Sequence, residues 1–159
     1  MIVITGAAGN IGSKISAELL SRGQKIRCIA RNVGKLDELV GKGTEIAVGS
    51  LEDTAFLTKA FSSADAVFTM IPPNYTAPDF RACQNSIGAA IAEAIGKSGV
   101  KYIINLSSQG AHLPGKTGPS KGLRDQEERL NKLKGVNIEN TTETTFVEFA
   151  EIFVRMLTA

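Results

Sequence analysis

Three glycines, each separated from the next by two residues, are the first residues of the sequence that could do chemistry. They lie in ITGAAGNIGS at residues 4–13, directly after the apolar run MIV. In a turn between a strand and a helix, Gly6 would allow the tight turn, Gly9 would let a phosphate approach the backbone, and Gly12 would let the helix pack closely on the sheet. The amide groups and the positive dipole end of such a helix bind anions. The loop therefore predicts dinucleotide binding, with a purely structural turn as the alternative.

The spacing of this loop is G-x-x-G-x-x-G, with Ala8 where the commoner G-x-G-x-x-G has its second glycine. The sequence contains no G-x-x-x-x-G-K-[ST], so a P-loop for ATP or GTP is disfavoured. We expect the pyrophosphate of a dinucleotide at the loop and at the start of the helix that follows it. The residues assigned to it are Gly6, Ala8, Gly9, Asn10, Ile11 and Gly12.

The end of the second predicted strand should select the cofactor. A carboxylate there would hydrogen-bond the adenosine ribose of NAD, but the sequence has Arg31 at this place, nineteen residues after Gly12. A guanidinium matches the geometry of a 2′-phosphate. We therefore expect NADP(H) in preference to NAD(H); the alternative is an arginine that belongs only to the surface.

The elements that must position these residues alternate between strand and helix. Apolar runs predict the strands, and apolar residues at helical spacing predict the helices. Because each parallel crossover needs a helix to return the chain, this order predicts an α/β fold: a Rossmann-type, doubly wound parallel sheet in a three-layer αβα arrangement. The predicted strands are 1–5, 25–30, 44–49, 64–71 and 101–107, and the predicted helices are one after the glycine loop, 35–40, one capped by Asp53, 79–98 and 123–133.

The composition limits the classes of function. The 159 residues suffice for one domain with a core, with 43% hydrophobic and 21% charged residues. A net charge of +2 does not indicate a nucleic-acid partner. Cys28 and Cys83 fit no metal or redox spacing, so we expect reduced thiols, no metal site and a cytoplasmic protein. No signal peptide or membrane span is predicted.

Five sequence motifs resemble those of one family. TGAAGNIG, Arg31, GSLED, MIPPN and NLSSQGAH are similar to the NmrA-like group of atypical short-chain dehydrogenases/reductases, over nearly all of residues 1–138. That group contains NADPH-dependent quinone reductases, benzylic ether reductases and non-catalytic NADP-sensing regulators. The resemblance implies that Ser50 and Leu51 lie near the adenine. It further implies that Met70, Ile71 and Pro72 lie beside the adenosine ribose or the nicotinamide, and that Ser107 and residues 109–112 face the nicotinamide.

The Tyr-x-x-x-Lys motif of the superfamily is absent, since Tyr75 is followed four residues later by Asp79 and Tyr102 by Leu106. An alcohol dehydrogenase needs that tyrosine as an acid/base beside the nicotinamide, so we do not expect alcohol oxidation. Hydride transfer to a quinone asks less of the protein, because the cofactor carries the chemistry. The candidate catalytic residues are Ser107, His112 and Lys121. His112 and Lys121 could instead serve only as loop hydrogen-bonding or solvent-exposed groups.

The C-terminal part departs from the family. Residues 134–138 begin like a sixth strand, but the polar ENTTETT follows where apolar residues would be needed. Residues 146–157 form a predicted amphipathic helix. We therefore predict an NAD(P)-binding Rossmann domain at 1–138, then a linker and amphipathic helix at 139–159 that packs on the domain or on a partner subunit. The family's substrate lobe is largely missing, and an uncovered apolar helix predicts a homodimer.

Two functions fit these residues. The first is an NADPH-dependent oxidoreductase that transfers hydride to a quinone-like small-molecule acceptor. The second is a non-catalytic NADP-binding redox sensor that acts through a protein partner; the missing tyrosine and the short C-terminal part favour it. A fold that has lost its ligand is a third alternative.

Arg31 gives a testable prediction. The substitution Arg31→Asp replaces the guanidinium by a carboxylate that repels a 2′-phosphate. Charge-assisted hydrogen bonds contribute about 1.5–3 kcal/mol, so NADPH affinity should fall by about tenfold to hundredfold while NADH binding is spared. Calorimetric titration with both cofactors measures the change. Unchanged NADPH binding in the variant would contradict the assignment.

Overall fold

A computed structural model of the chain describes residues 1–36, 39, 44–111, 113, 118–141 and 151. Strands and helices alternate through these ranges, with a short 3-10 turn at Val33–Lys35 after the second strand. The strands are β1 (Ile2–Ile4), β2 (Ile26–Ala30), β3 (Glu45–Val48), β4 (Ala66–Thr69), β5 (Tyr102–Leu106) and β6 (Asn137–Thr141). The helices are α1 (Asn10–Ser21), α2 (Thr54–Phe61), α3 (Phe80–Ser98) and α4 (Ser120–Leu130).

The six strands form one sheet in the order β3-β2-β1-β4-β5-β6. Every pair of neighbours in it is parallel. The chain runs outward from β1 in one direction through β2 and β3, then returns to the other side of β1 with β4. The strand order therefore reverses between β1 and β4, where open sheets of this kind bind ligands. The predicted Rossmann-type α/β fold is confirmed.

Both faces of the central strands β1 and β4 are buried, as continuous apolar strands require. Alternate residues of β1 point to opposite faces: Ile2 and Ile4 join the core beneath α1, and Val3 joins the core beneath α2, α3 and α4. The largest buried side chains include Phe68 on β4 and Phe61 on α2. The two cores fix the sheet between its helices, so the loops at its carboxyl edge project from a rigid base.

Strand β6 corrects the expectation that the polar residues after 138 cannot continue a strand. It extends to Thr141, pairs with β5 in parallel, and its last carbonyl accepts a 2.9 Å hydrogen bond from the Ser107 amide. Its polar residues find polar partners: Asn105 Nδ2 donates to Asn140 Oδ1 at 2.9 Å, and Thr69 Oγ1 donates to Asn105 Oδ1 at 3.1 Å. This side-chain network joins three strands and takes the place of apolar packing.

Two predicted helices differ from the observed ones. Helix α4 begins and ends three residues earlier than the predicted 123–133, directly after Pro119, whose φ of −59° already suits a helix. For the predicted helix 35–40, the structure has the 3-10 turn at its start, and residues 37, 38 and 40 lie outside the described part. The predicted C-terminal helix also lies outside it, apart from Glu151, which is 3.9 Å from the Arg22 guanidinium on α1.

The contact between α3 and α4 is polar and close. A Cβ added at Gly122 would lie 2.6 Å from Gln84 Cδ, so α4 approaches α3 only because this position has no side chain. Gln84 Nε2 donates to the Pro119 carbonyl at 3.2 Å, immediately before α4. Arg129 Nη2 on α4 donates to Asn85 Oδ1 on α3 at 3.3 Å. Hydrogen bonds therefore set the start of α4 relative to α3.

None of the helices in the described ranges combines the length and apolar character that a bilayer span requires. Across the same residues, no three His, Cys, Asp or Glu side chains gather as metal ligands would.

The buried network gives a prediction about stability. Asn105→Ala removes the central amide and leaves Thr69 and Asn140 without their partner. The free energy of unfolding should fall by about 1–3 kcal/mol, the cost of unsatisfied buried polar groups. Urea denaturation measures it, with Asn137→Ala, at an exposed position of β6, as the control. Equal stability of the two variants would contradict the role of the network.

Candidate functional site

The glycine loop brings the start of α1 against the turn after β1. Gly6 has φ +64°, a conformation that favours glycine, and its carbonyl accepts a 2.9 Å hydrogen bond from the Gly9 amide. A Cβ added at Gly12 would lie 2.7 Å from the Gly6 carbonyl carbon. No other residue type fits at Gly12 without moving the loop.

The first turn of α1 offers amide groups to an anion. The N-cap is Gly9, which has no side chain to cap the helix, and the first turn carries no acidic residue. The Ser13 amide already donates to the Gly9 carbonyl at 3.0 Å, within the helix. The amides of Asn10, Ile11 and Gly12 precede that bond and have no partner within the helix. Together with the helix dipole they make this end of α1 favourable for phosphate.

A cavity of about 550 Å³ lies over this loop at the carboxyl edge of the sheet. It is bounded by the loops that follow β1, β2, β3 and β4. Seven of the predicted cofactor residues line it together with four that the sequence analysis did not assign. The predicted ones are Gly6, Ala8, Gly9, Arg31, Leu51, Met70 and Pro72, and the others are Ile29, Ala30, Asn32 and Gly49.

A second cavity of about 380 Å³ continues from the first and shares Arg31, Leu51 and Pro72 with it. Ser50, also predicted, lines this second cavity. The residues here that sequence reasoning missed are Glu52, Pro73, Asn74, Thr76, Cys83 and Ile87. Pro73 and Asn74 belong to the predicted motif MIPPN, whereas the two α3 residues carry no signal in the sequence because they look like any helix positions.

Arg31 lies where the two cavities meet, and it is exposed. Within the part of the chain that the structure describes, its guanidinium has no hydrogen bond or ion pair. The other arginines described there do: Arg22, Arg27, Arg81, Arg124 and Arg129 each bond a carboxylate or an amide oxygen. The next residue fixes the backbone, because Asn32 Oδ1 accepts a 3.0 Å hydrogen bond from the Gly34 amide. Arg31 is thus held at the cavities with its charge available.

The loop after β4 is tied to the glycine loop. The Met70 amide donates to Thr5 Oγ1 at 3.0 Å, and a Cβ added at Gly6 would lie 2.6 Å from Met70 Sδ. Ile71, predicted beside the cofactor, is buried in the core beneath α2, α3 and α4 and lines neither cavity. Asn10, Ile11 and Gly12 also lie outside the cavity linings, since they belong to the helix start behind the loop.

Ser107 follows the end of β5 and lines neither of these cavities. It is 8% exposed, and its hydroxyl has no hydrogen-bond partner among the described residues. Nearby in the fold, Ser120 Oγ donates to Ser108 Oγ at 3.2 Å, which ties the start of α4 to the end of β5. Lys121 is exposed on the first turn of α4. His112 lies outside the described residues.

Neither tyrosine of the sequence has a contact with Ser107 among those the structure describes. Tyr102 begins that strand, at the opposite edge of the sheet. Tyr75 is 78% exposed in the loop before α3, where its ring stacks on Phe80 with centroids 5.4 Å apart. The site thus combines an anion-binding loop, an available guanidinium and an isolated buried hydroxyl.

The chain is similar to several known proteins over part of their length. It is 32% identical over 114 residues to (4-alkanoyl-5-oxo-2,5-dihydrofuran-3-yl)methyl phosphate reductase of Streptomyces griseus, covering 72% of this chain and 36% of that protein. The Citrobacter triphenylmethane reductase solved with NADP(H) superimposes with a TM-score of 0.80 at 22% identity, over 94% of this chain and 51% of that one. The Escherichia coli NADPH-dependent quinone oxidoreductase solved with NADPH superimposes with a TM-score of 0.76 at 22% identity, over 90% of this chain and 48% of that one.

This chain therefore spans about a third of the curated relative's length and about half of each solved one. A family model described as NAD(P)H-binding matches residues 6–135, from the first glycine of the loop to the turn just before β6. That range contains the glycine loop, Arg31 and both cavities. The chain belongs to the NAD(P)H-binding family.

Proposed function

We propose that the protein binds NADPH along the carboxyl edge of the sheet and transfers hydride from it to a quinone-like acceptor. The observation that carries the choice of NADP(H) is Arg31: an exposed guanidinium, without a partner among the described residues, at the junction of the two cavities. A 2′-phosphate would supply the anion that this cation lacks. No carboxylate occupies the end of β2, where NAD-specific domains place one.

The residues present fit the cofactor. The cavity beside Gly6 and Gly9 admits a pyrophosphate close to the backbone, and the first amides of α1 would donate to it. The buried Ser107 hydroxyl, unpartnered within the described chain, would gain a hydrogen bond from a group at the nicotinamide end. When bound, NADPH supplies the hydride, and the chain orients it and excludes water from it.

The relatives support a reductase. The Streptomyces relative and both solved structures are named reductases or oxidoreductases, and one of them is a quinone oxidoreductase. A quinone needs no tyrosine acid beside the nicotinamide, because its reduced oxygens can take protons from solvent or from groups such as Lys121. This agrees with the position of Tyr102 at the other edge of the sheet.

The same observation about tyrosine favours a second candidate, a non-catalytic NADP-binding sensor. Such a protein needs the glycine loop and Arg31 but no acid/base group. In that case the redox state of the cofactor would alter the binding of a protein partner. A homodimer is proposed for either function. Light scattering, which gives the molar mass in solution, tests it.

Turnover separates the two candidates. With NADPH and a simple quinone, a reductase oxidises the cofactor, which is followed by its absorbance, and a sensor binds it without turnover. NADPH should also raise the melting temperature more than NADH, since a ligand at 100 times its Kd stabilises the native state by about 2.7 kcal/mol. Tight binding with no oxidation would reject the reductase, and no thermal shift with either cofactor would reject both functions.

The two cysteines give an independent prediction. Burial raises the pKa of the Cys28 thiol, and because the thiolate is the reactive form, a thiol reagent should leave it unmodified in the native protein. Cys83 is half-buried in the wall of the second cavity and should react. NADPH should slow labelling of Cys83 several-fold. Mass spectrometry after timed alkylation measures both sites, and labelling of Cys83 at the same rate with saturating NADPH would contradict occupation of this cavity.

A further inference from the structure

Of the four helices that the structure describes, α1 alone packs on its side of the sheet. The buried residues of α2, α3 and α4 belong to the opposite core. Neighbouring strands lie about 4.8 Å apart and a helix is about 10 Å wide, so α1, which connects β1 to β2, does not reach over β5. Ile104, in the middle of β5, nevertheless joins the core beneath α1 and is fully buried. A further segment of chain has to cover β5 on this side.

The side chains around Ile104 form an apolar strip along β4 and β5. Phe68 on β4 is fully buried, and Tyr102 and Leu106, at the two ends of β5, are partly buried against the same core. Strand β6 adds no apolar residue to this side, because Ile138 packs in the opposite core. The strip is therefore two strands wide, about 10 Å, which is the width of one helix.

One described residue near the C-terminus lies beside α1. Glu151 is helical and exposed, and its Oε1 is 3.9 Å from Nη2 of Arg22, the residue that follows α1. Because α1 connects two parallel strands, it runs antiparallel to them, and Arg22 lies at the amino edge of the sheet. Strand β6 ends with Thr141 at the carboxyl edge. The chain between Thr141 and Glu151 spans at most about 36 Å, so it has no length for a detour around the molecule.

We propose that the C-terminal segment, residues 142–157, packs across β5 and β4 on the α1 side of its own domain. These two strands lie between β6 and β1 in the sheet, so a direct path from Thr141 to Arg22 passes over them. Glu151 lies on the polar side of the predicted amphipathic helix, which agrees with its exposure. A homodimer would then form through another surface. The apolar side of the predicted helix consists of Phe146, Phe149, Ala150, Phe153, Val154 and Leu157.

Cross-linking tests which copy of the chain the segment covers. In a Cys83→Ser background, the pair Arg22→Cys and Glu151→Cys is treated with a short bismaleimide, because two long side chains that meet at their ends leave the Cα atoms too far apart for a disulfide. The product should be a cross-link within one chain, found by mass spectrometry in protein that runs as a monomer on a denaturing gel. A product linked between two chains would overturn the proposal.

The matched control pairs Glu151→Cys with Ser86→Cys, an exposed position of α3 on the opposite side of the sheet. The Arg22 pair should link at least about tenfold faster, since tethering raises the effective concentration only of groups that can meet. Equal rates for the two pairs would contradict the placement.

A second pair of variants tests the apolar contact itself. Added to the Arg22 and Glu151 pair, Phe153→Asn puts an amide on the apolar side of the segment and should slow the intramolecular cross-link several-fold, because burying an unpaired amide is unfavourable. Arg155→Asn, on the polar side, should leave the rate unchanged. The same rate in both would overturn the packing of this segment on the strip. No measurement here uses NADPH, so the result is independent of the proposed function.

Discussion

The close approach of α1 to the turn after β1 is the constraint on which the site depends. Gly12 can lie against the backbone of Gly6 only because Gly12 has no side chain, and Gly6 itself holds a left-handed conformation in the turn. This contact places the first amides of α1 beneath the cavity. It also leaves room for Met70, which packs over Gly6 from the neighbouring strand β4. A side chain at Gly12 would push the helix away from this turn, whereas one at Gly6 would be strained by its positive φ and would collide with Met70.

The strand order distributes the remaining groups around this point. Because the order reverses between β1 and β4, the loops after β2 and β3 lie on one side of the glycine loop and those after β4 and β5 on the other. Arg31 and Glu52 thus both line the second cavity on one side, and Ser107 lies on the other. An extended ligand that crosses the edge of the sheet can contact charged groups at one end and a buried hydroxyl at the other, with its phosphates between them.

The sequence was sufficient to predict those parts of the fold and of the candidate site that depend on glycine spacing and apolar periodicity. The glycine loop, the alternation of strands and helices and the place of Arg31 follow from steric and hydrophobic rules that act locally, and the sheet followed from them. Polar contacts were not predictable in the same way. Strand β6 was obscured because Asn105 and Asn140 bond each other across strands, and no pattern along one chain segment shows that. Glu52 stands in the motif GSLED, but its place on the wall of the second cavity could not be predicted from that motif.

The exact position of helix α4 was also not predictable from the sequence, because it depends on a contact with α3. That contact limits which substitutions the protein can accept. Its contact with α3 depends on Gln84 occupying the space that a side chain at Gly122 would fill. A side chain at 122 would collide with the end of the flexible Gln84 side chain, which would have to move and give up its hydrogen bond to the Pro119 carbonyl. Shortening Gln84 alone removes that hydrogen bond and leaves space beside Gly122 without any clash. A larger residue at 122 and a shorter one at 84 compensate each other, so these two sites should covary among homologues.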